Sequence, residues 1–396
     1  MASATKGNAV VGQSGGPTCV INQSLVGVIE AFTASAKGKL FGMRHGVSGL
    51  EKNDLLDLTR IPKTKLAALA NTPSAALGSS RDKPDETYCR RLFEVCRHRD
   101  IRYFFYIGGN DSADTARIVN EVAAAAGYEL HVFHIPKTID NDLLVNDHTP
   151  GYGTAARWVA SAFIGDDMDN RSLPGVKIDV IMGRNAGFLT AASVLARQHA
   201  DSGPHLIYVP ETDFFDDRFV ADVQKVVAKL GRCVVAVSEG IRRPGEGPLA
   251  AQLDKNAPVD SHGNKLLAGG ALGDYLARLV KAAMPKGRVR SDTFGYLQRC
   301  FPGVVSKTDA TEARKVAATA VKLALAGEPA GSVAIVRVSD KPYRVRYELT
   351  GLSNVARHTK HLDPAYITHG GNNIADSFKA YVAPLAGLPP QVALLG

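Results

Sequence analysis

Short apolar runs, each stopped by glycine, proline or an acid, recur along the chain: "NAVVGQSGG" from Asn8, "YFFYIGG" from Tyr103, "LHVFHIPK" from Leu130, "IDVIMGR" from Ile178, "HLIYVPE" from His205 and "CVVAVSEG" from Cys233. Between them, Asp85 to Arg97, Asp111 to Ala126 and Asp216 to Leu230 have the spacing of amphipathic helices. Strands that are apolar nearly throughout, rather than at alternate positions, belong to parallel sheets covered by helices on both faces. The pattern predicts an α/β protein with mainly parallel sheets, and the length of the chain two subdomains of unequal size. Near the end, "YRVRYELTGL" alternates as a strand does, and a Gly- and Pro-rich tail follows, expected over the core or against a partner subunit. "RRPGEGP" (Arg242 to Pro248) and "APVDSHGN" (Ala257 to Asn264) read as loops, and there is no internal repeat.

Ligands of such sheets sit beyond the carboxyl ends of the strands. The polar residues collect at those ends: Gly15-Gly16, Gly108 to Ser112, Lys137 to Asp142, Gly183-Arg184 and Glu239-Gly240. Five such ends predict one shared cleft.

The 396 residues, 45% hydrophobic and 22% charged, are enough for a sizeable core and exclude a disordered or fibrous chain. A net charge of +8 calls for an anionic partner, either nucleic acid or a multiply anionic small molecule. The basic residues are dispersed, often near glycine (Arg44, Arg81, Arg184, Arg290), with no basic run and no interleaved aromatics. That argues against nucleic acid and for small phosphorylated ligands. Five cysteines show no paired spacing, so no zinc site is expected and the thiols should be free, as in a reducing compartment. The N-terminus lacks the apolar region of a signal peptide, and no stretch approaches about 18 apolar residues. A cytoplasmic protein without a membrane span is expected.

Several motifs carry chemistry. "GQSGGPTCVINQSL" places a Gly-Gly turn and Pro17 between a strand and a helix start, which aims backbone N–H groups at an anion, although the same pair also makes ordinary tight turns. In "LGSSRDKPDE", Arg81 and Lys83 suit phosphate oxygens or are solvated loop charges. "GGNDS" lacks the Gly-Lys-Ser/Thr ending of a P-loop, and "GYGTAA" matches a dinucleotide fingerprint loosely but does not follow a strand. "PKTIDND" (Pro136 to Asp142) is the most specific element. A carboxylate can take the proton of an attacking alcohol, a second can hold a metal or orient the first, and a lysine can offset charge on a transferring phosphoryl group. In extended chain Asp140 and Asp142 would project to the same side. An Asx-turn would also explain part of the cluster. Arg184, Arg290 and Arg299, with Tyr296, suggest a second phosphate site, and Glu239 in "VSEG" an acceptor for sugar hydroxyls; each alone also reads as surface charge or a helix cap.

Taken in order, GG, GSSR, GGND-S, TIDND, MGR, SEG and R-x5-Y-x-x-R resemble the phosphofructokinase family from about Ala9 to Arg299. The resemblance implies transfer of a phosphoryl group to the 1-hydroxyl of fructose 6-phosphate, giving fructose 1,6-bisphosphate. It implies Asp140 as proton acceptor, and Lys137, Asp111 and Asp142 beside it in the catalytic set. It further implies Thr138, Ile139, Asp140, Met182, Gly183, Arg184, Glu239, Arg290, Tyr296 and Arg299 as fructose 6-phosphate contacts, with Arg290 reaching in from a neighbouring subunit. Gly15, Gly16, Arg81, Asp111, Ser112 and Lys137 would bind the phosphoryl donor, and Asn110 and Asp142 would hold magnesium. The resemblance makes the two subdomains Rossmann-like and doubly wound. The implied division is a donor subdomain, 1–150 plus about 299–345, and a sugar-phosphate subdomain, 151–298 plus about 346–396, in a homodimer or homotetramer with a shared active site.

Two departures from the ATP-using pattern, Asp111 and Lys137, resemble the branch that uses pyrophosphate. A carboxylate where an α-phosphate would lie repels ATP and leaves room for pyrophosphate. The products would then be fructose 1,6-bisphosphate and phosphate, in a reversible reaction. The branch more often carries aspartate where Asn110 stands, so Asp142 or the pyrophosphate itself would take more of the metal ligation. The competing readings are an ATP-dependent enzyme, a kinase acting on NAD or a lipid, and a catalytically silent sugar-phosphate regulator.

Overall fold

The computed structural model describes residues 6–82, 84–254, 258, 267 and 269–395. Lys83 and, apart from position 258, the loop expected over Ala257 to Asn264 lie outside them. Strands β1 (Asn8–Gln13), β2 (Leu40–Met43), β3 (Leu55–Asp57), β4 (Ile101–Gly108), β5 (His131–Pro136), β6 (Val176–Ile181), β7 (Leu206–Tyr208), β8 (Cys233–Ser238), β9 (Val289–Thr293), β10 (Ala330–Asp340) and β11 (Tyr343–Thr350) form two sheets. The larger has the order β11-β10-β5-β4-β1-β2-β3, parallel from β10 to β2 with an antiparallel strand at each edge. The smaller, β7-β8-β6-β9, is parallel throughout.

The chain forms two units. The first is Met1–Ile139, Leu143–Gly151 and Arg299–Thr359; the second is Asp140–Asp142, Tyr152–Gln298 and Lys360–Gly396. Strand pairing explains why the last return to the first unit runs past position 345: β11 pairs with β10 along its length.

In the first unit, β4 shows why its run is apolar at every position. Tyr103, Phe105 and Ile107 face one core with Leu25, Val28 and Phe32 from helix Ile21–Ser35 and Val316 and Ala320 from helix Lys307–Leu325. Phe104 and Tyr106 face the other, with Leu92 and Cys96 from helix Glu86–His98 and Ala116 and Val119 from helix Asn110–Ala125. A strand buried on both faces has no solvent side on which a polar residue could alternate. The helix expected from Asp85 begins at Glu86, with the Asp85 carboxylate accepting from the Tyr88 N–H as its cap. In the second unit, Val176, Ile178 and Val180 of β6 pack with Phe219 and Val223 of helix Asp216–Leu230 and with Leu272, Leu276 and Val280 of helix Ala271–Ala283. The C-terminal helix Asp376–Ala386 also belongs to this unit, where Phe378 meets Tyr366 edge to face and lies tilted against Phe188. Among the described residues no helix is long and apolar enough to cross a membrane.

Candidate active site

Three adjacent parallel strands of the first unit, β1, β4 and β5, end side by side, and each end carries a motif singled out above. After β1 the chain turns at Gly15, whose φ of +72° favours glycine. The Gly15 N–H donates to the Ser80 carbonyl at 2.9 Å, and Ser79 Oγ donates to the Gly15 carbonyl at 2.6 Å. The GSSR loop with Arg81 is thereby pinned to this turn. Two cations lie against the same turn. Lys137 Nζ, on a residue only 3% exposed, donates to the Gly16 carbonyl at 2.6 Å. A Cβ on Gly16 would stand 2.9 Å from the Arg299 guanidinium carbon. Arg299, expected among the sugar contacts, thus lies beside the Gly-Gly turn within the first unit. A buried lysine and a part-buried arginine beside glycine backbone make a place for an anion.

At the end of β4, Gly109 caps helix Asn110–Ala125, and Asp111 stands exposed in its first turn. Ser112 is buried and shares a short hydrogen bond with Ser14, joining the β1 and β4 ends. Asn110 Oδ1 is buried and accepts no hydrogen bond among the described residues. A buried carbonyl oxygen left without a donor is costly, and a hard cation would satisfy it.

His134, in the middle of the β5 run, supports these loops from beneath. Its Nε2 lies 2.8 Å from the Gly108 carbonyl and its Nδ1 2.8 Å from Ser332 Oγ. A carbonyl only accepts, so Nε2 carries the proton and Nδ1 accepts from the Ser332 hydroxyl. The same Gly108 carbonyl accepts the Lys137 N–H at 2.9 Å. Burial pushes the His134 pKa down from 6.5 to about 4. The unfolded chain binds this proton near pH 6.5 and the folded chain only near pH 4, so the stability that neutral His134 contributes is complete above about 6.5 and lost as pH falls towards 4, on the order of 3 kcal/mol. Urea unfolding of wild type and His134→Gln between neutral pH and pH 4 tests this. Wild type should lose more stability on acidification than the variant; parallel losses would refute it.

The second unit carries the remaining motifs at the ends of β6 and β8. After β6 the chain passes through Met182, Gly183 (φ +137°) and Arg184. Glu239, 7% exposed at the end of β8, accepts the Gly183 N–H through Oε1 at 3.4 Å, and Ser238 Oγ donates to the Gly183 carbonyl at 2.7 Å. Gly240 must be glycine because a Cβ there would stand 2.1 Å from the Arg184 carbonyl oxygen. The MGR and SEG motifs therefore form one interlocked pair of turns. Gln298 steadies it by accepting the Met182 N–H at 3.3 Å and donating to the Gly295 carbonyl at 2.8 Å, which ties in the segment bearing Tyr296. Tyr296 is 49% exposed. Arg290, on edge strand β9, is half-exposed and ion-paired with Asp169.

The TIDND stretch departs from the expected geometry. Thr138 and Ile139 belong to the first unit and Asp140 to Asp142 to the second. The chain bends at Ile139 and Asp140, and Asn141 has φ +59°, so the two aspartates are not alternate residues of an extended strand. Asparagine tolerates this left-handed conformation better than most residues. Asn141 Nδ2 donates to the Tyr381 hydroxyl at 3.0 Å, and the Asp142 carbonyl accepts the Lys360 N–H at 2.7 Å. The tail, expected over the core or on a partner, holds the DND segment in place within its own unit. Its participation, like that of His134, Ser14 and Gln298, was not read from the sequence. The one signal was a histidine inside an apolar strand; the Lys360 contact runs through the backbone and leaves no mark in the sequence.

A further acidic group in the second unit joins Asp166, Asp179 and Asp292, whose carboxylate oxygens lie within 4.8 Å of one another. The Lys177 ammonium already sits among them, 3.0 Å from Asp179 and in contact with Asp292, so the protein supplies its own cation there. All five cysteines are free. Burial pushes the thiols of Cys19, Cys89, Cys96 and Cys233 up to about 12, which leaves them as inert packing groups.

Parallel strands ending in glycine turns, cations and carboxylates are the frame of an enzyme that handles phosphate groups. A family model described as phosphofructokinase matches residues 8–324. The chain is 51% identical over 384 residues to the pyrophosphate--fructose 6-phosphate 1-phosphotransferase of Rhodospirillum rubrum, covering 96% of this chain and 95% of that one. It is 39% identical over 410 residues to the protein of the same name from Xanthomonas campestris pv. campestris, covering 98% and 96%. Among solved structures, that of the pyrophosphate-dependent phosphofructokinase from Marinobacter aquaeolei matches with a TM-score of 0.85 at 35% identity, over 98% of this chain and 93% of that one. The chain belongs to the phosphofructokinase family.

Proposed function

We propose that this enzyme is a pyrophosphate-dependent 6-phosphofructokinase, transferring a phosphoryl group from pyrophosphate to the 1-hydroxyl of fructose 6-phosphate to give fructose 1,6-bisphosphate and phosphate. The observation that carries this reading is the buried Lys137 ammonium on the Gly15–Gly16 turn, at the same strand ends as the acid Asp111. The names of the relatives above support it.

In this reading Gly15, Gly16, Arg81, Ser112 and Lys137 receive pyrophosphate. Asp111 excludes the longer nucleotide triphosphate by occupying the place of an α-phosphate with like charge. The interlocked turns of Met182, Gly183, Arg184 and Glu239 receive the sugar phosphate, with Tyr296, Arg290 and Arg299. Thr138 and Ile139 orient the reacting end of the sugar, and Asp140 takes the 1-hydroxyl proton as the oxygen attacks phosphorus. Lys137 offsets the charge that builds on the transferring group. Pyrophosphate stands little above a sugar phosphate in transfer potential, so the reaction runs in either direction. Family enzymes use a divalent metal; here magnesium suits the oxygen donors, with Asn110 Oδ1 and the Asp142 carboxylate proposed to hold it, and when bound it would neutralise phosphate charge. The enzyme is further proposed to be a cytoplasmic homodimer or homotetramer in which the half-exposed Arg290 on edge strand β9 reaches into a neighbouring subunit's site.

The test compares donors for wild type and Asp111→Gly, following fructose 1,6-bisphosphate formation with magnesium and either pyrophosphate or ATP. Wild type should turn over with pyrophosphate alone, and the variant should gain use of ATP. Wild-type turnover with ATP alone would overturn the donor assignment while leaving the family intact. Binding without turnover would favour the silent regulator.

A further inference from the structure

Next to the Thr138 turn, within the first unit, lies a buried charged cluster that the chemistry above does not use. His148 is 2% exposed. Its Nδ1 lies 2.7 Å from Asp147 Oδ2 and its Nε2 2.5 Å from Glu312 Oε2. Ionised carboxylates only accept hydrogen bonds, so both ring nitrogens donate and the ring is an imidazolium. Every element packed here contributes a group. From β10, Arg337 donates to Asp147 Oδ2 at 3.1 Å and pairs with the exposed Asp340. From β11, the Tyr343 hydroxyl donates to Glu312 Oε1 at 2.8 Å and lies 3.4 Å from His148 Nε2. Arg337 and His148 balance Asp147 and Glu312 only while His148 is charged, and a buried imbalance is expensive. Burial alone would lower the His148 pKa, but its hydrogen bonds to Asp147 and Glu312 and their charges outweigh it and hold it above the ordinary value.

The cluster anchors a strap that reaches the catalytic loop. Thr149 Oγ1 donates to the Thr138 carbonyl at 2.9 Å, and the Thr138 N–H donates to the Pro150 carbonyl at 3.1 Å. The strap's far end is fixed by Asp309 Oδ1, which accepts the Gly151 N–H at 2.8 Å. Asp309 and Glu312 lie three residues apart on helix Lys307–Leu325, so one helix face grips the strap at both ends. Its near end is tied to β10, where the Ile335 carbonyl accepts the Asp147 N–H at 2.8 Å.

We propose that His148 is a positioning residue for phosphoryl transfer: as an imidazolium held between Asp147 and Glu312, it fixes the strap on which the Thr138 backbone is registered. The proposal rests on the reading of Thr138 as a residue that orients substrate. Loss of the imidazolium charge lets the strap shift, and small displacements at a reacting centre lower turnover more than ground-state binding.

The experiment follows kcat and KM for pyrophosphate and fructose 6-phosphate against pH for wild type, Glu312→Gln and His148→Gln, with thermal melting of each. Wild-type kcat should fall at alkaline pH as His148 gives up its proton. Glu312→Gln removes one of the two charges that hold this proton, so its alkaline fall should begin at lower pH by about one unit, a tenfold change in proton affinity. His148→Gln should lose that alkaline limb and show kcat reduced roughly ten- to hundredfold with KM little changed. In protein labelled with ¹⁵N-histidine, wild type at pH 8 should show a doubly protonated imidazole that is absent from His148→Gln. An alkaline limb unmoved in Glu312→Gln, full kcat in His148→Gln, or a neutral His148 ring at pH 8 would each overturn the proposal. Wild-type inactivity with pyrophosphate would instead overturn the functional reading, which the ring spectrum does not depend on.

Discussion

Asp140→Asn should lower kcat by about 10²–10⁴-fold in both directions, with KM for fructose 6-phosphate changed only slightly. The amide keeps the shape of the carboxylate but cannot take the 1-hydroxyl proton. The reaction's equilibrium constant does not depend on the enzyme, so forward and reverse turnover must fall together as long as the KM values hold. Steady-state kinetics in the two directions, with pyrophosphate and fructose 6-phosphate or with phosphate and fructose 1,6-bisphosphate, give the answer. A variant within about tenfold of wild type would show that Asp140 is not the base, since that is below the range general-base removal produces.

Lys137→Met is expected to cost about 10²–10³-fold in kcat, with a rise in KM for pyrophosphate as well. Methionine has similar length and suits a position only 3% exposed, so the side chain's volume is retained while its charge is lost. Two effects add. The transferring phosphoryl group loses a buried cation, and the Gly16 carbonyl loses its ammonium donor. Arginine is no substitute, because the buried site holds a compact ammonium on the Gly16 carbonyl and a guanidinium is larger and planar. Kinetics of Lys137→Met beside its urea unfolding separate the two effects. An unchanged kcat with lowered stability would reduce Lys137 to a structural role.

The chain legible without coordinates was the chain buried on both faces. The apolar runs of β1 and β4 stand out because helices cover both sides of them, each strand sending alternate residues into the two cores of the first unit. The sequence marks helix Asp216–Leu230 at both ends, with an acidic first turn and a closing Gly231. By contrast β9, "VRSDT", is a half-exposed edge strand with no apolar run, and it becomes a strand only by pairing with β6. β3, likewise largely exposed at an edge of the larger sheet, is a strand through its pairing with β2.

The sequence by itself determined the fold class, the family, and which residue types stand at the ends of the strands, because motif and apolar periodicity are local properties of the chain. Only the tertiary structure decided what those residues meet. It set Asn141 in a left-handed bend, which removes the strand-like pairing of Asp140 and Asp142. It put Lys137 and Arg299, 162 positions apart, on one Gly-Gly turn. It joined His148 to Glu312, 164 residues away, behind Thr138. Each of these depends on strand order and helix packing, in which the energy of a contact is shared between segments that no local pattern links.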